Sequence, residues 1–149
     1  MTEEEHRNVA VVHHLNTLVN ESRFDEMDEL FADGYRDHNP GWQIESVADL
    51  KRIIADAHFR FQLHNVIQDT VASQDKVVVR VANEGRHVSD AFGIAPTGKA
   101  TSMQTIEIYR FDSGKVAERW VVSDRMSLML QLGVKLPSAN GRHEGGERD

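Results

Sequence analysis

The chain has 149 residues, 40% of them hydrophobic, which suits one compact domain and leaves no room for a second of useful size. A net charge of −7 without a basic stripe argues against nucleic-acid and anionic-membrane partners. The absence of cysteine removes disulfides, thiolate zinc sites and thiol nucleophiles together.

The acidic, polar stretch from Met1 to His6 lacks the basic-then-apolar order of a signal peptide, and no apolar run reaches membrane-spanning length. A cytoplasmic location is the expectation. Val11, Val12, Leu15, Leu18 and Val19 recur at helical spacing and form one apolar stripe, interrupted at Asn20 and Ser22. Phe24, Met27, Leu30 and Phe31 form a second, shorter stripe, with Gly34 where a left-handed helix stop would fall. The turn-rich segment Tyr35 to Trp42 follows and includes His38, Asn39 and Pro40. Ser46 with Asp49 resembles a capping box and opens a third helix, whose inner face is expected to be Val47, Leu50, Ile54, Ala57 and Phe61.

The period then changes. Val66–Val71, Lys76–Val81, Thr101–Phe111 and Lys115–Asp124 read as strands, and Asp112-Ser113-Gly114 reads as a hairpin turn. Helices followed by antiparallel strands predict an α+β fold, with three N-terminal helices packed in a strongly curved sheet that encloses a pocket. Residues 1–136 form the expected domain, and the polar, Gly-rich residues 137–149 read as a disordered tail.

Gly93-Ile94-Ala95-Pro96-Thr97-Gly98-Lys99 has the spacing of a phosphate loop, but Ala100 stands where Ser or Thr would bind magnesium. A strand follows instead of a helix, so the segment reads as a long hairpin connection. A mixed metal site would have to draw on His38, His87 and Asp124, because no His-Glu-x-x-His pair exists; no metal is expected.

The strongest chemical candidate lies along the last strand. Val116, Glu118, Trp120, Val122 and Asp124 alternate onto one face, and its apolar members mark that face as buried. A carboxylate there would be costly to ionise and poised as a general acid or base, or it would cap the following helix, Arg125 to Leu132. His38 is a loop histidine or a partner for Asp124. His87 falls in register with Val77, Val79 and Val81, as a core histidine or a ligand contact. A three-residue loop with a bulge would place Gln104, Ile106, Ile108 and Arg110 on the face of Trp120, and a two- or four-residue loop would place Met103, Thr105, Glu107 and Tyr109 there; Gly114 favours the first. Gln104 is then a pocket polar group, and Arg110 and Glu118 a structural ion pair. Trp42 and Trp120 are the expected aromatic walls.

These pieces, in order, resemble the SnoaL-like branch of the nuclear-transport-factor-2 superfamily. The carrying segments are Phe31-x-x-x-Tyr35-x-x-His38-x-Pro40, Gly93-x-x-Pro96-Thr97-Gly98-Lys99, Tyr109-Arg110-Phe111-x-Ser113-Gly114-Lys115-Val116-x-Glu118-x-Trp120-x-x-x-Asp124 and Gln131-Leu132-Gly133. The resemblance covers about Val9 to Gly133. It implies an α+β cone, a homodimer or higher oligomer built through the outer sheet face, and no metal or organic cofactor. It also implies an acid–base cyclase or isomerase for a hydrophobic, polyketide-like carbonyl compound, exemplified by intramolecular aldol closure, with Asp124 as the acid/base and His38 at the pocket. His87, Gln104, Trp120 and Trp42 are the expected substrate contacts. The competing readings are a non-catalytic small-molecule-binding module and an epoxide-opening hydrolase on the same scaffold.

Overall fold

A computed structural model describes residues 1–137. The chain forms helix α1 (Glu3–Asn20), a 3-10 helix (Phe24–Leu30), strand β1 (Phe31–His38), helix α2 (Val47–Phe61), strands β2 (His64–Ser73), β3 (Lys76–Arg86), β4 (Ala100–Asp112) and β5 (Lys115–Ser123), and helix α3 (Arg125–Gln131). The five strands lie in one sheet in the order β1-β5-β4-β3-β2. The expected α+β class and its pocket-enclosing helices are present. The tail reading at residues 138–149 lies outside the described residues. Among the described residues, 1–137, no helix is long and apolar enough to cross a membrane.

Local sequence explains most boundaries. Thr2 caps α1 with a capping box: its hydroxyl accepts from the Glu5 amide at 3.1 Å, and Glu5 accepts from the Thr2 amide at 2.8 Å. Ser46 caps α2 and accepts from the Asp49 amide at 3.1 Å, as expected, although Asp49 turns its own carboxylate to the Glu45 amide. Gln62, at φ 45°, ends α2 in the left-handed conformation.

Two elements differ from expectation. Phe24, Met27 and Leu30 repeat every three residues, which is the 3-10 period, so the second apolar stripe winds as a 3-10 helix. The chain then enters β1 directly, and Gly34 sits inside that strand and not at a helix stop. At φ 75° it occupies the break where pairing with β5 jumps from Phe31↔Val116 to Arg36↔Glu118. Moreover, β1 runs parallel to β5, so the sheet is mixed and not wholly antiparallel. The remaining pairs are antiparallel. Residues 87–99 connect β3 to β4 as a long loop, as read from the sequence, and a strand follows Gly98 and Lys99.

The core lies between the inner sheet face and the helices. Leu15, Leu18 and Val19 of α1, Met27, and Leu50 of α2 pack against Val77, Val79, Val81, Tyr109, Phe111 and Val116. Leu18, Met27, Val77 and Val116 have no solvent exposure. Burying each such side chain contributes about 1.5–3 kcal/mol. A smaller cluster of Phe61, Ala91, Leu128 and Leu132 joins the end of α2, the β3–β4 loop and α3.

Candidate active site

The inner sheet face and the helices leave a cavity of about 510 Å³. Its walls are mostly apolar, with Leu15, Leu50, Ile54, Val79, Val81 and Val121 among them. Into this surface β4 and β5 project a polar group: Glu107, Tyr109 and Arg119 all line the cavity. The pairs Glu107↔Val121 and Tyr109↔Arg119 are in register across the two strands, which brings these side chains together.

Arg119 is the hub. Its Nη1 donates to Asp37 Oδ2 at 2.9 Å, and its Nη2 lies 3.5 Å from Glu107 Oε1. The Tyr35 hydroxyl donates to Asp37 and the Tyr109 hydroxyl donates to Glu107. Asp37 is fully buried and sits behind Arg119, whereas Glu107 reaches the cavity wall. Burial works to lower the Arg119 pKa. The charges of Glu107 and Asp37 and the neighbouring tyrosines outweigh it, so the guanidinium stays charged. Burial, reinforced by the adjacent carboxylates, pushes both tyrosine hydroxyls up, so they remain proton donors. The arrangement holds a carboxylate on an apolar wall with its geometry fixed by a cation and a phenol.

A second polar group lies beside it. Asn83, Thr105 and Ser123 all line the cavity. Asn83 Nδ2 donates to the Met103 carbonyl at 3.1 Å and to Thr105 Oγ1 at 2.6 Å, and Thr105 Oγ1 lies 3.3 Å from Ser123 Oγ. On the helical wall His58 lines the cavity, with Nδ1 3.0 Å from the Ile54 carbonyl. Burial lowers its pKa.

The residues singled out from the sequence are distributed differently. Gln104, Ile106, Ile108 and Arg110 share the face of Trp120, as expected, but the three-residue loop is not formed and the register differs, with Ile108↔Trp120 and Arg110↔Glu118 paired. That face is the outer one. Ser113 and Gly114, at φ 51° and 79°, form a tight two-residue turn, and the extra residue is Ala117, where pairing steps from Phe111↔Val116 to Arg110↔Glu118. This bulge puts Val116 inside and Glu118, Trp120 and Val122 outside, breaking the alternation that had grouped them. Val122 is 70% exposed.

Asp124 therefore does not enter the cavity. It is exposed and caps α3, accepting from the Ser127 amide at 3.0 Å. His38 also stays outside, because β1 pairs it with Trp120 in parallel register. Its ring stacks on Trp120 at 5.0 Å, and its Nε2 meets Glu118 at 2.8 Å instead of Asp124. Glu118 also accepts from Arg110 at 2.9 Å, the ion pair expected there. His38 and then Arg110 hold its carboxyl below the usual range. Gln104 and Trp120 belong to this outer face and line no cavity wall.

His87 does face inward, as its register suggested, and is fully buried. It lies behind the wall, stacked on Phe61 at 5.3 Å, with Nδ1 accepting from the Thr97 amide at 3.2 Å. Trp42 does line the cavity, with Arg125 over its ring at 4.4 Å. Among the described residues no group of three or more His, Asp or Glu is placed to share a metal ion.

Glu107 is the pocket residue of the alternative register, whereas Arg119 was not singled out, because the apolar outer residues Ile106 and Val122 imitate an inner face. A charged residue on each strand opposite that face, Glu107 on β4 and Arg119 on β5, was the available signal.

A helix-lined sheet around an apolar cavity with an internal carboxylate defines a fold of the nuclear-transport-factor-2-like type. The chain belongs to the SnoaL-like polyketide cyclase family, whose model matches residues 9–132. Three solved structures share the fold. TsrD from Streptomyces laurentii is 25% identical, with a TM-score of 0.77, and the match covers 89% of this chain and 98% of that one. A provisionally assigned polyketide cyclase from Acidithiobacillus ferrooxidans is also 25% identical, with a TM-score of 0.78 and the same coverage. A SnoaL-like protein from Jannaschia sp. CCS1 is 20% identical, with a TM-score of 0.81 over 91% of this chain and 98% of that one. No curated protein matches the chain in sequence.

Proposed function

We propose that this chain is an acid–base catalyst of the cyclase or isomerase type, acting on a hydrophobic, polyketide-like carbonyl compound without a cofactor, with Glu107 as its base. The observation that carries the reading is the Glu107 carboxylate on the wall of an apolar cavity, held by Arg119 and Tyr109. Family membership supports the class of reaction, and the cavity supports the class of substrate.

The Glu107 carboxylate takes a proton from the carbon between two carbonyl groups. The electron pair left behind forms an enolate. In a folded substrate this carbon attacks a distant carbonyl of the same molecule, a C–C bond forms, and the electrons of the C=O bond move to oxygen. Glu107 then returns its proton to that oxygen, so no external reactant is consumed. Proton return to a different carbon gives an isomerase from the same machinery. The largely apolar lining strengthens charge interactions at the site, and the fixed Arg119 and Tyr109 positions spare reorganisation during transfer. The outer-face apolar residues fit the self-association that the family resemblance implies.

Hydrogen–deuterium exchange at the central methylene of a naphthyl 1,3-diketone, followed by NMR, tests the proposal. The native protein should accelerate exchange, and Glu107→Gln should reduce the acceleration at least about a hundredfold with ligand affinity retained. A non-catalytic binding module would leave both proteins at the background rate with equal affinity.

A further inference from the structure

We infer that the Ser123 hydroxyl is a substrate-carbonyl donor, aimed into the cavity by a one-way hydrogen-bond relay from Asn83 through Thr105. The inference rests on the reading of the cavity as a carbonyl-compound site.

The direction of the relay follows from its fixed end. The Met103 carbonyl can only accept, so the Asn83 atom 3.1 Å away must be the amide nitrogen. Its second hydrogen points to Thr105 Oγ1 at 2.6 Å, which makes Thr105 an acceptor there. The Thr105 proton then goes to its other partner, Ser123 Oγ, at 3.3 Å. Ser123 receives that proton on a lone pair, so its own proton is left for the cavity that it lines. Thr105↔Ser123 and Glu107↔Val121 are successive inward-facing pairs of the same ladder, separated by the outward pair Ile106↔Val122, so this donor stands one inward-facing step from the Glu107 residue. A carbonyl oxygen bound at Ser123 would place its α-carbon toward Glu107, and the donor would stabilise the charge that grows on that oxygen as the proton leaves. Ser123 touches the substrate, while Asn83 and Thr105 are positioning residues.

The probes are 2-acetylnaphthalene, with its carbonyl labelled with carbon-13, and 2-isopropenylnaphthalene, which has the same shape without an acceptor. The native protein should prefer the ketone by about tenfold. The bound carbonyl stretch should shift to lower frequency than in an alkane solvent. Ser123→Ala should abolish both effects, with circular dichroism unchanged. Asn83→Asp should do the same without touching Ser123, because a carboxylate in its place only accepts. Thr105 would then turn its proton back, and Ser123 would donate to Thr105. Persistence of the preference and the shift in Ser123→Ala overturns the inference, as does their absence in the native protein. Failure of both probes to bind overturns this inference and the carbonyl-site reading together. Loss of diketone exchange in Glu107→Gln with the carbonyl shift intact would show that the two assignments stand on separate residues.

Discussion

Replacing Asp124 by Ala removes a helix cap, and the expected cost is about 1 kcal/mol of stability. Ligand affinity should not change, because the side chain lies outside the cavity. Urea unfolding alongside naphthalene-ketone titration would check both. Arg119 differs in kind. Arg119→Met leaves Asp37 buried against Tyr35 without its cation, and loss of about 3–5 kcal/mol is expected in the same unfolding experiment. His58 gives the chain a pH dependence of defined sign. Its folded pKa lies below the ordinary histidine value because burial disfavours the charged ring. The unfolded chain therefore binds this proton more readily than the folded one. The His58 contribution is complete above the unfolded value of about 6.5 and is lost as pH falls through the lower folded value. The melting temperature of His58→Leu should accordingly fall less than that of the native protein between neutral pH and pH 5.

At the level of elements, Gly85 joins α2 to the sheet. A Cβ at this position would stand 2.4 Å from the Phe61 carbonyl oxygen and 3.0 Å from Leu63 Cδ2. The first neighbour is backbone and cannot swing away. Gly85→Ala should thus separate β3 from the end of α2 and destabilise by about 1–3 kcal/mol, measurable by denaturant midpoint. The elements themselves were largely legible in the chain. Ser46 and Asp49 marked the start of α2, and the valines from Lys76 to Val81 marked β3, because caps and alternation are local signals. The 3-10 period of Phe24, Met27 and Leu30 was present in the chain, but β1 was not legible. Its identity depends on finding β5, a parallel pairing across most of the chain that no local pattern encodes.

For the whole molecule, the outer face of β4 and β5 presents Ile106 at 51% and Val122 at 70% exposure, next to Trp120. Exposed apolar side chains grouped in this way can serve as a contact surface. With the family resemblance they support our proposal of a homodimer or higher oligomer packed through this face. Light scattering coupled to size exclusion should give more than one chain per particle, and Val122→Glu should shift it toward the monomer while leaving ketone binding intact. A native protein of one chain per particle would refute the oligomer.

The sequence by itself determined the α+β class and the family, because periodicity, caps and ordered motifs are written residue by residue. Which sheet face encloses the cavity was decided only in three dimensions. The bulge at Ala117 reverses the side that Val116 shares with its successors, and the apolar outer face imitates an inner one. That inversion moved the candidate chemistry from Asp124 and His38 to Glu107, Arg119 and Ser123. In a strand every side chain has one of two sides, and a single inserted residue exchanges them.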